Sequence, residues 1–214
     1  MVAEVSNKAI IQQRKRLYSL EEYYELEEKA NFRSEFVNGK IIPMPGGTHN
    51  HNRIISTLIG LFFIFLNNRE DDYELFSGDQ TVYLPKFDRV VYPDVCVALE
   101  KAIAHENHRL GIINPTLVVE VASKSTERYD RSGKFRLYQS LPSFKEYVLV
   151  HQDMPIVEVL VKIEENKWQM TTYTGLDKTV ELETLGVSLK MSDIYKKAED
   201  LQDPQTIFDF PEET

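Results

Sequence analysis

Residues 116–122, Thr-Leu-Val-Val-Glu-Val-Ala, constrain this chain more than any other stretch. Pro115 opens the run and nearly every side chain in it is apolar, which marks a strand buried on both faces rather than one with a wet side. Glu120 stands in the middle. Taking a lone carboxylate out of water costs on the order of a few kcal/mol or drives its protonation. The fold must therefore bring this acid a cation, a hydrogen-bond network or a strand end near solvent. The flanking sequence narrows the architecture further, because residues 126–140 read as a helix and residues 146–151 as a second apolar strand. Strand, helix and strand within roughly 35 residues form a βαβ unit, with parallel strands and a right-handed crossover.

Asp94 poses the same problem within residues 90–99, Val-Val-Tyr-Pro-Asp-Val-Cys-Val-Ala-Leu. Its period-2 partners on one face are Tyr92, Cys96 and Ala98, while Val95, Val97 and Leu99 take the other. If this strand lies beside residues 116–122, Asp94 and Glu120 converge. Two carboxylates that close repel each other, and a divalent metal relieves the repulsion; hard oxygen ligands favour Mg²⁺ or Mn²⁺. A single acid in a strand is more often at an edge or paired with a base, but two of them followed directly by a basic helix shift the balance towards a site.

That helix carries Lys124, Arg128, Arg131, Lys134 and Arg136 against Glu127 and Asp130, a local charge of +3. Leu137, Tyr138 and Leu141 lie three, four and seven positions after Lys134, so the lysine shares the face that packs on the sheet. Its ammonium should reach a carboxylate, either Asp130 one turn back or the Asp94/Glu120 pair. Gly133, costing about 1 kcal/mol relative to Ala in a helix interior, suggests a close approach of backbone there.

Elsewhere the reading is coarser. Ser19 and Glu22 make a capping box that opens a short helix to residue 29. Asn38-Gly39 splits residues 32–44 into a hairpin with a type I′ turn. Residues 50–68 read as a longer helix whose apolar residues nearly encircle it, implying burial on several sides or an oligomer interface. Residues 74–84 read as one strand, antiparallel to 90–99, and residues 155–163, 168–173 and 179–182 as a C-terminal meander. The fold class expected is α/β, a mixed central sheet flanked by helices, in a single domain over residues 1–214 with its core at about residues 18–195.

The 214 residues carry 25 Lys and Arg against 34 Asp and Glu, a net charge of −9, which excludes a strongly basic, histone-like protein but not a local basic groove. Charge is segregated. Lys8, Arg14, Lys15 and Arg16 precede the first helix, and six acids with no base occupy residues 199–214, leaving about −3 on the body. The lone Cys96 rules out an intrachain disulfide and a zinc ribbon. The first twenty residues lack a signal-peptide pattern, and the longest apolar stretch, residues 54–66, is too short for a bilayer, which takes roughly 20 residues. A cytoplasmic protein without membrane partners is the expectation.

Taken as a set, Tyr-Pro-Asp94, Val-Val-Glu120-Val-Ala-Ser, Tyr-Asp130-Arg-Ser-Gly-Lys134, Tyr138 and Glu146-Tyr-Val-Leu-Val resemble the restriction-endonuclease-like family of the PD-(D/E)XK nuclease superfamily. Glu35-Phe-Val-Asn-Gly39, His51-Asn-Arg-Ile and Gly78-Asp-Gln80 extend the resemblance over most of the chain. It implies a restriction-endonuclease-like fold and a Mg²⁺-dependent phosphodiesterase core, with Mn²⁺ as a possible substitute. Asp94 and Glu120 would be metal ligands and catalytic acids, and Glu35 the acid from the N-terminal part. The superfamily lysine normally follows the second acid by two residues, where this chain has Ala122. The resemblance places it at Lys134, with Lys124 as competitor.

Lys124, Arg128, Arg131 and His51 are candidates for holding flanking phosphates, His51 also for a role behind the metal ligands. The function expected is a metal-dependent endonuclease hydrolysing DNA phosphodiesters, acting as a homodimer. The alternative is a catalytically inactive nuclease-fold module that binds nucleic acid or a protein partner.

Overall fold

The computed structural model describes residues 16–67, 69, 73–105, 111–124 and 126–204. Lys8, Arg14 and Lys15 of the basic stretch, Asn68 at the expected helix end, and Asp209, Glu212 and Glu213 of the acidic tail lie outside the described residues.

Helix α1, Leu20–Glu27, starts on the expected capping box, with Ser19 and Glu22 each bonding the other's backbone. Strands β1 (Ser34–Val37) and β2 (Lys40–Pro43) form the expected hairpin, and Asn38 and Gly39 both take positive φ, 48° and 79°. Helix α2, His49–Leu66, follows, with Thr48 as its N-cap. Only one stripe of α2 is buried, Ile54, Leu58, Phe62 and Leu66 at four-residue spacing, so the many-sided burial expected from its composition is not present within the chain. Phe63, Ile64 and Phe65 are 59%, 62% and 41% exposed.

The two long strands expected over residues 74–84 and 90–99 are each broken in two. Strands β3 (Tyr73–Ser77) and β4 (Thr81–Leu84) are separated by a turn in which Gln80 donates its backbone N–H to Ser77. Strands β5 (Arg89–Val91) and β6 (Val95–Leu99) are separated at Pro93, which has no N–H to give a ladder. The halves then part company. β4 and β5 join β1, β2 and a short strand β7 (Gly111–Ile112) in a five-stranded sheet, ordered β2-β1-β5-β4-β7.

β3 and β6 enter the six-stranded central sheet beside β8 (Leu117–Ala122), β9 (Glu146–His151), β10 (Ile156–Glu164) and β11 (Lys167–Thr174), in the order β11-β10-β9-β8-β6-β3. Within it β8 and β9 are parallel, as a βαβ unit requires, and the remaining neighbours are antiparallel. β10 and β11 extend this sheet as a meander. The third expected meander strand, β12 (Thr179–Leu182), instead pairs with β13 (Val187–Lys190) in a separate ribbon.

The crossover between β8 and β9 is not the uniform α-helix expected over residues 126–140. Residues Tyr129–Lys134 form a π-helical turn, followed by the short α3, Phe135–Tyr138. A second short helix, α4 (Met191–Ile194), follows β13. Alternation along β8 and β6 sends Leu117, Val119, Val121, Val95 and Val97 to the α2 face. Val118, Ala122 and Cys96 pack with Leu137, Tyr138, Phe144 and Tyr147 on the other face. Glu120 shares the parity of Val118 and Ala122, so it points under the π-turn. Among the described residues no helix is long and apolar enough to cross a membrane.

Candidate active site

Register sets the site. The antiparallel pairing Val95↔Val119 places Asp94, one residue before β6, next to Glu120 on β8. The Asp94 carboxylate accepts a 2.7 Å hydrogen bond from the Val121 backbone N–H through Oδ2. Its side chain keeps 19% of its surface, whereas that of Glu120 keeps 2%.

Lys134 comes down on this pair from the π-turn. Its ammonium donates to Glu120 Oε2 at 2.9 Å and to the Tyr92 carbonyl at 3.2 Å, and stands 3.7 Å from Asp130 Oδ1. The break at Pro93 frees that carbonyl: Tyr92 belongs to neither β5 nor β6, so its oxygen is spared by the ladders. Of the two carboxylates the sequence offered to Lys134, the nearer is therefore the strand acid. Lys124 lies apart, exposed just beyond β8, on the rim of a cavity of about 180 Å³ lined by Glu127, His151, Gln152 and Asp153.

The π-turn explains Gly133. A Cβ on it would lie 2.6 Å from Cδ2 of Tyr129, so the glycine admits the tyrosine ring against the backbone. The Tyr129 hydroxyl then reaches Glu35 Oε2 on β1 at 3.2 Å, tying the N-terminal sheet to the turn. Asp130 and Lys134, four residues apart in this turn, both face inward and are buried. Tyr138 donates to the remaining Glu120 oxygen, Oε1, at 3.1 Å.

His51, in the first turn of α2, brings Nε2 to 3.2 Å from Asp94 Oδ2. Arg131 turns away from the acids: it pairs with Glu158 and, at 2.9 Å, with Glu127, and stands 3.4 Å from His151 Nε2. Arg128 is exposed on the outer face of the turn.

The structure thus gathers Asp94, Glu120, Lys134, Glu35 and His51, and leaves Lys124, Arg128 and Arg131 outside this group. Asp130, named from sequence only as a partner for Lys134, joins it, as do Tyr129 and Tyr138, to which the sequence reading gave no role. The costly glycine four residues after Tyr129, inside a motif that carried the family resemblance, is the physical signal that marked this turn.

Electrostatically the cluster is short of positive charge. Burial pushes the Glu120 carboxyl well above its ordinary range; Lys134 pulls it back, while Asp94 and Asp130 push it further up. Burial likewise raises Glu35 and Asp130, with Lys134 partly offsetting it in both. Burial alone would depress the Lys134 ammonium, but Glu120, Asp130, Glu35 and Asp94 outweigh it and its pKa rises. Lys134 therefore stays protonated. His51 feels the same competition: burial lowers it, and the Asp94 carboxylate more than compensates.

A family model described as "Uma2: Putative restriction endonuclease" matches residues 20–192. The chain belongs to this family. Two proteins of Synechocystis sp., both described as uncharacterized, are each 34% identical to it. One aligns over 160 residues, 75% of this chain and 89% of that protein; the other over 178 residues, 83% and 91%. A crystal structure from Anabaena variabilis, described as "a putative nuclease belonging to DUF820", superposes with a TM-score of 0.67. It covers 83% of this chain and 97% of that one at 18% identity, a likeness of fold. The restriction-endonuclease-like α/β fold expected from the sequence is thus the fold of the Uma2 chain.

Proposed function

We propose that this Uma2 protein is a metal-dependent endonuclease that hydrolyses DNA phosphodiester bonds. The observation that carries the reading is the buried Lys134–Glu120 contact of 2.9 Å beside Asp94. Four carboxylates, Glu35, Asp94, Glu120 and Asp130, face Lys134 and His51, with Arg89 acting on Glu35, and a fold retains such an imbalance at a cost in stability.

The donor set fits a divalent cation: two hard oxygen ligands, Asp94 and Glu120, side by side by register. Among the described residues no three His, Cys, Asp or Glu side chains close a cage. Two carboxylates are what an ion such as Mg²⁺, which keeps several waters, takes from a protein. When bound there, such an ion supplies charge neutralisation for a phosphate and acidifies its water.

The chain's own residues do the rest. Lys134, held protonated, places a fixed positive charge where negative charge grows on a phosphate under attack, and does not serve as a base. Tyr138 and the Tyr92 carbonyl fix the Glu120–Lys134 geometry. Lys124 and Arg128, exposed and outside the acid cluster, are the cations available to flanking phosphates.

The test is incubation of purified protein with supercoiled plasmid and either Mg²⁺, Mn²⁺ or a chelator. Nicking or linearisation that needs the metal and disappears in Glu120→Gln is the expected result. Both Glu120 oxygens are already hydrogen-bonded, the observation that favours the alternative of an inactive binding module. Intact plasmid in every condition, together with retarded migration of a DNA fragment, would establish that alternative.

We propose also that the protein forms a homodimer through the exposed apolar end of α2, Phe63, Ile64 and Phe65. Light scattering at micromolar concentration should give twice the chain mass, and Ile64→Glu should halve it. A monomeric wild type overturns the assignment.

A further inference from the structure

We propose that His51 is a positioning residue that locks the Asp94 carboxylate, so that Oδ2 is occupied and Oδ1 is the oxygen presented to the cation. This rests on the cation reading above. Neither ring nitrogen of His51 is open to a phosphate: Nε2 lies 3.2 Å from Asp94 Oδ2, and Nδ1 is buried against Gly47. A residue closed on both sides acts on its neighbour rather than on the substrate.

Asp94 is gripped on one oxygen only. Oδ2 accepts from the Val121 N–H at 2.7 Å and meets His51 Nε2 at 3.2 Å, while Oδ1 has no hydrogen bond among the described residues. A backbone hydrogen bond from the strand and an ion-pair contact from the helix side chain fix the plane of the carboxylate and leave its other lone pairs for a ligand.

The histidine is itself held on several sides. Thr48 Oγ1 accepts from the His51 N–H at 3.2 Å and donates to Gln152 Oε1, just past the end of β9, at 2.8 Å. The start of α2 is thereby pinned to the central sheet. Gly47 closes the far side: a Cβ there would lie 2.5 Å from His51 Nδ1. The glycine's φ lies outside the left-handed region, so what it supplies is space for the ring.

The experiment is calorimetric titration of Mn²⁺ into full-length wild type, His51→Gln, His51→Ala and Gly47→Ala, with thermal melts to establish folding. His51→Ala should weaken Mn²⁺ binding roughly 10- to 100-fold, as loss of a partner behind a metal ligand does. His51→Gln, whose amide N–H can occupy the Nε2 position, should restore affinity to within a few fold of wild type. Gly47→Ala removes no polar group and should still weaken binding, because its methyl carbon displaces the ring from Asp94.

A role in stability alone would lower the melting temperature of these variants and leave affinity unchanged. Wild-type affinity in folded His51→Ala and Gly47→Ala overturns the proposal and spares the cation reading; should His51→Ala not fold, Gly47→Ala decides. A wild type that takes up no Mn²⁺ overturns the cation reading, and the proposal with it.

Discussion

Two buried glutamates on adjacent parallel strands are treated in opposite ways. Glu146, first residue of β9, is 0% exposed; Glu120, in β8, is 2% exposed. Glu146 accepts 3.0 Å hydrogen bonds from the Glu183 and Thr184 backbone N–H groups, one on each oxygen, and so anchors the turn between β12 and β13 to the central sheet. Peptide dipoles satisfy it. Glu120 receives an ammonium and a phenol and lies within the field of Asp94 and Asp130. Under the proposed function Glu146 is the acid kept for architecture, met chiefly by backbone donors, and Glu120 the acid kept for chemistry, met by charges of both signs. Burial alone does not distinguish a site; the nature of the partners does.

The largest effect that would break this contrast is on activity. Lys134→Ala should reduce plasmid cleavage by roughly 10²- to 10³-fold, the usual loss on removing one preorganised charge-stabilising donor. Mn²⁺ binding should persist because both carboxylates remain. Glu146→Gln should leave cleavage of folded protein near wild type. Equal losses in the two variants would mean that the strand acids do not differ in kind.

Stability should show the reverse emphasis. Glu146→Gln keeps one acceptor oxygen and turns an NH₂ towards a backbone N–H, leaving that donor buried and unpaired at a cost of about 1–3 kcal/mol. For a chain of this size that is a fall in Tm of roughly 2–4 °C per kcal/mol, read by calorimetry. Glu120→Gln leaves the Lys134 ammonium without its nearest anion but relieves repulsion from Asp94 and Asp130, so the two costs oppose each other. A larger drop in Tm for Glu120→Gln than for Glu146→Gln would reverse the assignment of roles.

The contrast extends to the cations. Lys134 faces inward with its charge committed, and Lys124 faces outward. Lys124→Ala should weaken DNA binding by several fold at low salt and lower the slope of log K against log salt by about 1, as loss of one phosphate contact does. Arg131→Ala should act mainly on melting, because it frees Glu158, whose side chain is 9% exposed, from its cation. Wild-type affinity with an unchanged salt slope in Lys124→Ala would remove this lysine from the interface.

Much of this was legible in the sequence, for a physical reason. An acid inside an apolar run is conspicuous because its cost is local, and period-2 alternation gives its direction, so Asp94 and Glu120 could be placed without coordinates. Lys134 was legible because it interrupts an apolar helical face. The π-turn was not: an i→i+5 ring differs from an α-turn by one residue, and hydropathy does not register it. Only Gly133 betrayed the crowding by Tyr129.

The splitting of both long strands at Gly78-Asp79 and Pro93 was hidden because apolar alternation continues on either side, although the halves serve different sheets. The burial of Glu146 escaped notice because it is the first residue of its strand, after Lys145, where an acid is ordinarily solvated. Its partners, 37 and 38 residues downstream, leave no local pattern.

The smallest effect is on the pH dependence of stability, and it separates the two glutamates most finely. Folding raises the pKa of Glu120, Glu35, Asp130 and Glu146, in every case chiefly through burial. An acid whose folded pKa lies above its unfolded value contributes stability that is full below the unfolded pKa, 4.5 for Glu and 3.8 for Asp, and is lost as pH rises through the folded value. His51, raised above 6.5, acts in the same sense over a higher window. His151 is lowered, chiefly by burial, and opposes the trend as pH falls below 6.5. The raised groups together oppose His151, so the metal-free protein should lose stability as pH rises above the unfolded carboxyl values, by an amount on the order of 1 kcal/mol per pH unit for each proton released. Glu120, pushed furthest, should dominate: Glu120→Gln should flatten the profile, while Glu146→Gln should flatten it less because peptide N–H bonds already stabilise that anion. Millimolar Mg²⁺ should raise Tm more at pH 7.5 than at pH 5.5, since it competes with protons for the same oxygens. A profile that Glu146→Gln flattens and Glu120→Gln leaves unchanged would place the unbalanced charge at the wrong strand and undo the distinction between the two acids.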